Sequence, residues 1–219
     1  MRRFWKEFRC IARPFFVMIG IIPLSIIIDN DLMKTLIPIR SIHILCCIMM
    51  GCAVFGNEFE YNTMERYLCQ PLKRIRLWRE KMAVLGFCVT IPFILHLFVY
   101  INIFLLYRDW LFILKHIFLH GLLYLVALSV APLATLYLKK PHTAFWATLA
   151  STGVFVIVFS EILLSVLILL LKKSWGDFIQ KFFISYEDLL YIGMPLLLWC
   201  LVCYFLARHN FIRLEISGK

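Results

Sequence analysis

Charge is what this sequence has least of. Only 16% of its 219 residues are Asp, Glu, Lys or Arg, while 63% are hydrophobic. A soluble domain is about half apolar and about a quarter charged. So few charges cannot cover so much apolar surface in water. The mean hydropathy of +0.87 makes lipid the main solvent, and the length suits one membrane domain, 1–219, with no second soluble unit.

Other absences narrow the reading. No Gly-rich phosphate loop of the GxxxxGK[ST] kind occurs, so nucleotide hydrolysis has to come from another chain. No internal repeat, low-complexity tract or linker divides the sequence. After the apolar run ending Ile26–Ile28 comes Asp29 rather than a small-residue cleavage site, so the first apolar segment is expected to stay as an anchor.

Cysteine is present, with eight copies, but in the wrong places for a disulfide framework. Cys46, Cys47, Cys52, Cys88, Cys200 and Cys203 fall inside apolar runs; Cys10 and Cys69 lie in basic flanks. They read as small apolar residues, with neither a disulfide nor a metal. The net charge of +10 raises the question of nucleic acid. The Lys and Arg stand between apolar runs rather than along one polar face, which points to topology signals and lipid headgroups instead.

A membrane span needs about 20 apolar residues. Six stretches qualify or nearly so: Pro14–Ile28, Leu36–Phe55, Met82–Leu106, Ile117–Leu138, Thr143–Leu171 and Leu189–Ala207. Placing both termini in the cytoplasm puts Arg2, Arg3, Lys6, Arg9, Arg13, the basic residues from Arg66 to Lys81, Lys139, Lys140, Arg208, Arg213 and Lys219 inside. That leaves a much smaller basic set outside, in accord with the positive-inside rule. Thr143–Leu171 is too long for one upright span: about 43 Å against a core of about 30 Å. Strong tilt and a break at Ser160-Glu161 are the two solutions. The aromatic and charged loop 172–188 is expected to lie in the outer interface, and residues 1–13 form its inner counterpart, an interfacial elbow with Phe4, Trp5, Phe8, Ile11 and Ala12 on one face.

The connection from Gly56 to Lys81 is far longer than adjacent helices require. Its sequence predicts a helix over 57–70. Asn57 and Glu60 form a capping pair, Glu58 and Glu60 suit the first turn, and Pro71 ends it. Lys73, Arg74, Arg76, Arg79 and Lys81 follow at re-entry. A short cytoplasmic helix held at both ends would pass a push or pull to the spans on either side.

The residues Glu58, Asn62, Thr63, Tyr67, Leu68, Pro71, Arg74 and Lys81 follow the pattern E-x-x-x-G-T-x-x-x-L-L-x-x-P-x-x-R…K. The chain thereby resembles ABC-2-type transporter permeases, in which this pattern lies between the second and third of six spans. Asn62 replaces the Gly and Tyr67 the first Leu; Asn is among the non-Gly residues that best tolerate a left-handed turn. The resemblance implies an all-α membrane fold of six spans and a coupling helix docking on a separate ABC ATPase. It also implies a second permease copy, the same chain or a close paralogue, with ATP and Mg bound by the ATPase and none by this chain. The expected location is a bacterial cytoplasmic membrane.

Met49, Phe55, Phe155, Phe159 and Glu161 are candidates for lining an apolar path; packing explains the aromatic and Met residues equally well. Glu161 is the acid inside a span, where a carboxylate carries either function or a helix-end contact. His116 and His120 stand four apart, as metal ligands on a helix do, but without an evident third ligand. His96 and Asn102 suit interhelical hydrogen bonds. Two other classes stay open: an integral membrane enzyme acting on lipid, for which Arg108, Asp109, His116 and His120 lack a nucleophile, and a non-transporting scaffold.

Overall fold

The computed structural model describes residues 2–27, 32–61, 63–64, 73–107, 110–171 and 193–213, and no strand occurs among them. The six helices among the described residues are α1 (Arg2–Ile27), α2 (Leu32–Glu60), α3 (Arg74–Tyr107), α4 (Trp110–Leu138), α5 (Pro141–Leu171) and α6 (Met194–Arg213). Five of them contain a stretch long and apolar enough to cross a membrane: Ile42–Glu60, Arg74–Phe98, His120–Leu138, Pro141–Val158 and Met194–Arg213. The chain is a multi-pass membrane protein by this measure.

Paired landmarks fix the helix directions. Met18 meets His43 while Cys10 meets Asn57, so α1 and α2 run antiparallel. Val54 meets Lys81 while His43 meets His96, so α2 and α3 do too. Gly193 packs on Phe118 and Asn210 bonds Tyr137, which makes α4 and α6 parallel. The start of α1, the end of α2, the start of α3 and the end of α6 therefore meet at one end of the bundle.

The helix axes come close where side chains vanish. A Cβ on Gly51 would overlap the Ala127 carbonyl oxygen and stand 2.8 Å from the Ala131 Cβ, so α2 lies directly on α4. A Cβ on Gly56 would meet Pro141 at 2.7 Å, where α5 begins. Small residues at such crossings are how helices pack in lipid, where apolar contact with a neighbour gains little over contact with a tail. Between α4 and α5 the chain turns in two residues. Lys139 takes the left-handed conformation (φ 57°) and its N–H bonds the Thr135 carbonyl at 2.8 Å. Pro141 then opens α5, a position where its missing N–H costs nothing.

At three places the backbone bears directly on a sequence expectation, and at α5 it takes the unbroken one of the two alternatives. Helix α1 is continuous from Arg2 to Ile27, with no break between residues 2–13 and 14–27. Helix α5 passes unbroken through Ser160 and Glu161, at about 46 Å for its 31 residues. The chain does not begin a helix at Asn57, because α2 continues through Glu60. Asn57 accepts from the Tyr61 N–H as any helical residue would, and its side-chain amide donates to the Cys10 carbonyl instead of capping. The rest of 57–70 lies largely outside the described residues, as does loop 172–188.

Along α5, only Ala144 and Thr148 are buried between Pro141 and Val158; Trp146 is 69% exposed, and Val154, Ile157 and Val158 are also open. Such a surface is suited to lipid or to another apolar chain.

Candidate functional site

The apolar stripe of α1 is Ile11, Phe15 and Met18, spaced three or four apart and buried. Four residues before Ile11, on the same stripe, stands Glu7. Its carboxylate is buried and Oε2 accepts from Lys81 Nζ at 2.8 Å. Lys81 reaches it from the second turn of α3, with its side chain 3% exposed. The same ammonium lies 2.9 Å from Glu58 Oε1, in the last turn of α2, and donates to the Val54 carbonyl at 2.9 Å. Its charge also sits 5.4 Å from the centre of the Phe55 ring, within cation–π range. One cation thus joins three helices.

Below the triad lies a plug of aromatic rings. Phe55 stacks on Trp78 at 5.2 Å, and Phe211 closes on both at 5.6 and 5.5 Å. Trp78, Phe55 and Phe211 are among the largest fully buried side chains. The three charged side chains are almost fully buried, so the ions interact in a medium of low dielectric. Removing one partner there is far more costly than removing a surface ion pair. The triad is also incompletely satisfied: Glu58 Oε2 is buried without a hydrogen-bond partner among the described residues.

The chain leaving α2 is tied back at once. Thr63 N–H donates to the Glu58 carbonyl at 2.9 Å, the 6→1 bond that closes many helix ends, and its hydroxyl lies 3.4 Å from the same oxygen. Where the chain re-enters, Arg74 Nη1 donates to the Ile212 carbonyl at 3.0 Å, fastening α3 to the end of α6.

No family model, no curated protein and no solved structure matches this chain.

The structure brings together Glu58 and Lys81 from the sequence-derived set, ties Thr63 to the Glu58 carbonyl, and bonds Arg74 to Ile212 of α6 instead. All four make contacts within the chain. Asn62, Tyr67, Leu68 and Pro71 lie outside the described residues. Of the path candidates, Met49 is 46% exposed, while Phe55 is fully buried in the aromatic plug. Phe155 stacks on Trp199 at 4.5 Å between α5 and α6. Phe159 and Glu161 belong to α5 as backbone, and their side chains lie outside the described residues. Sequence reasoning missed Glu7. Its signal was position: an acid at helical spacing from Ile11, Phe15 and Met18 needs a partner.

Toward the other end, three imidazoles gather. His43 meets His96 edge to face at 4.3 Å, and His120 follows at 6.0 Å. His43 Nε2 lies 3.1 Å from the Met18 carbonyl, which can only accept, so that nitrogen carries a proton. Tyr124 and His96 Nδ1 are 3.0 Å apart, joining α3 to α4. Among the described residues no group of three or more His, Cys, Asp or Glu is arranged to hold a metal. The His116 side chain and the Asn102 side chain lie outside them.

Proposed function

We propose that this chain is the membrane-spanning subunit of an ATP-driven exporter of the ABC-2 kind. It moves a hydrophobic or amphipathic cargo such as a peptide, drug or lipid outward. A separate ABC ATPase supplies ATP and Mg chemistry and docks against the connection between α2 and α3. The observation that carries this reading is the anchoring of that connection at both ends. Glu58, on its near side, and Lys81, on its far side, share a buried ion pair at 2.9 Å. Arg74 adds a bond to α6. Force applied between these anchors would reach α1, α2, α3 and α6 together instead of being lost in slack chain.

In this scheme Glu58, Lys81 and Glu7 brace the lever from inside the bundle, and Asn62, Tyr67, Leu68 and Pro71 supply its docking face. A second permease copy, identical or paralogous, completes the conduit, with Met49 and Phe155 on helices that border it. Both termini are cytoplasmic in a bacterial inner membrane, since the basic residues gather at the end of the bundle that holds the triad. The scheme assigns this chain transport and no catalysis.

The test is co-purification. Tagged chain from its native membrane should carry a soluble ATPase in roughly stoichiometric amount, and its ATP hydrolysis should rise in proteoliposomes holding the chain. A chain that brings down no ATPase refutes the proposal.

A further inference from the structure

A cleft of about 310 Å³ opens at the triad's end of the bundle, between the last turn of α2 and the junction of α4 with α5. Phe59 and Pro141 give it apolar walls; Lys139, Lys140 and His142 are exposed around it, with Thr143 beside them. Glu60 is the one acid among the described residues of the lining. Apolar residues continue from the cleft along the outside of the bundle. Leu138, the residue before Lys139, is open, and the exposed Trp146 lies about one turn beyond His142. Cations at the membrane's edge with exposed aliphatic and aromatic surface directly below them form two zones, one for an anionic head and one for acyl chains.

From this charge complementarity we infer that the cleft binds an anionic phospholipid, its phosphate held by Lys139 and Lys140 and its chains laid along Leu138 and Trp146. A soluble anion would use the cations but not the apolar surface below. A zwitterionic lipid would use the apolar surface but bring its own cation to the lysines. Lys139 stands in the left-handed turn, φ 57°, that closes α4, a position where Gly is ordinarily preferred. Phe59 follows Glu58 directly, so the cleft and the triad share one turn of α2. The inference rests on membrane residence alone and not on the export reading.

The experiment is native mass spectrometry of the full chain released from detergent, titrated with phosphatidylglycerol, phosphatidylcholine or glycerol phosphate. Phosphatidylglycerol should be retained in preference to phosphatidylcholine. The Lys139→Gln/Lys140→Gln variant should weaken that retention about thirtyfold. Lys73→Gln/Arg213→Gln, equal in charge and at the same end, should leave it unchanged. Equal loss in both variants means diffuse attraction and overturns the site. Equal retention of both lipids overturns the headgroup assignment. Binding of glycerol phosphate as tight as that of the lipid assigns the cleft to a soluble anion and overturns the lipid. A second readout leaves the cleft unaltered: brominated phosphatidylglycerol should quench the emission that Trp146→Phe removes more strongly than brominated phosphatidylcholine does, and equal quenching overturns the inference.

Discussion

Glu7 Oε2 and Lys81 Nζ stand 74 residues apart in the chain and 2.8 Å apart in space. Neither charge could be buried alone, because an unpaired ion out of water is costly. With Glu58 on the other side of the ammonium, two acids depend on one base. Losing the base strands both acids, whereas losing one acid leaves an ordinary pair.

Lys81→Met should therefore destabilise the protein by about 3–5 kcal/mol, and Glu7→Gln by distinctly less. Replacing all three, as Glu7→Gln/Glu58→Gln/Lys81→Met, should recover much of the loss, because no charge is left unpaired. Melting temperatures in a single detergent give the order. If Lys81→Met melts with the wild type, the triad carries no stability.

The sequence makes some of this arrangement readable and hides the rest for a physical reason. Long apolar runs mark the spans, since lipid demands continuous hydrophobic length. Glu58 and Lys81 stand out by motif. Their partnership does not, because it depends on how α2 and α3 are rotated about their axes, and neither helix gathers its apolar residues on one face. The end of α2 was misplaced for a similar cause. Asn57 and Glu60 suit a helix start by type, but the neighbouring Cys10 carbonyl claims the Asn57 amide. The imidazole cluster is likewise a product of helix rotation: His43, His96 and His120 show no common spacing in the chain.

Gly51 and Gly86 make a matched pair of tests. Gly51→Ala drives a methyl group into the Ala127 carbonyl and Ala131, so α2 has to move off α4, at about 1–3 kcal/mol. Gly86 has nothing within 4 Å of an added Cβ. Gly86→Ala should be neutral or stabilising by up to about 1 kcal/mol, from helix propensity. Size-exclusion profiles after graded heating distinguish the two. Equal behaviour would mean that α2 and α4 are not in the contact described.

Tyr124→Phe keeps the ring against Phe93, at 5.4 Å, and removes the hydroxyl that faces His96. The backbone carbonyl of Pro92, 3.2 Å from the same nitrogen, still serves His96. The loss should be modest, about 0.5–1.5 kcal/mol. Nitrogen chemical shifts of labelled His96 should move as its second neighbour goes, and an unchanged spectrum would contradict the hydrogen bond.

The export reading is tested hardest by separating attachment from coupling. Tyr67→Ala/Leu68→Ala alters the proposed docking face and should reduce the ATPase held by the chain. Arg74→Gln breaks the tie from α3 to the Ile212 carbonyl while leaving that face alone. It should keep the ATPase bound yet cut its stimulation by cargo about fivefold or more, the scale of a typical coupling energy between two sites. Combining Arg74→Gln with Glu58→Gln loosens both ends of the connection and should cut it further. Both readouts come from one preparation, bound ATPase by gel densitometry and hydrolysis by phosphate release. If Glu58→Gln/Arg74→Gln still holds its ATPase and is fully stimulated, the anchors transmit nothing and the lever is not where force enters the bundle.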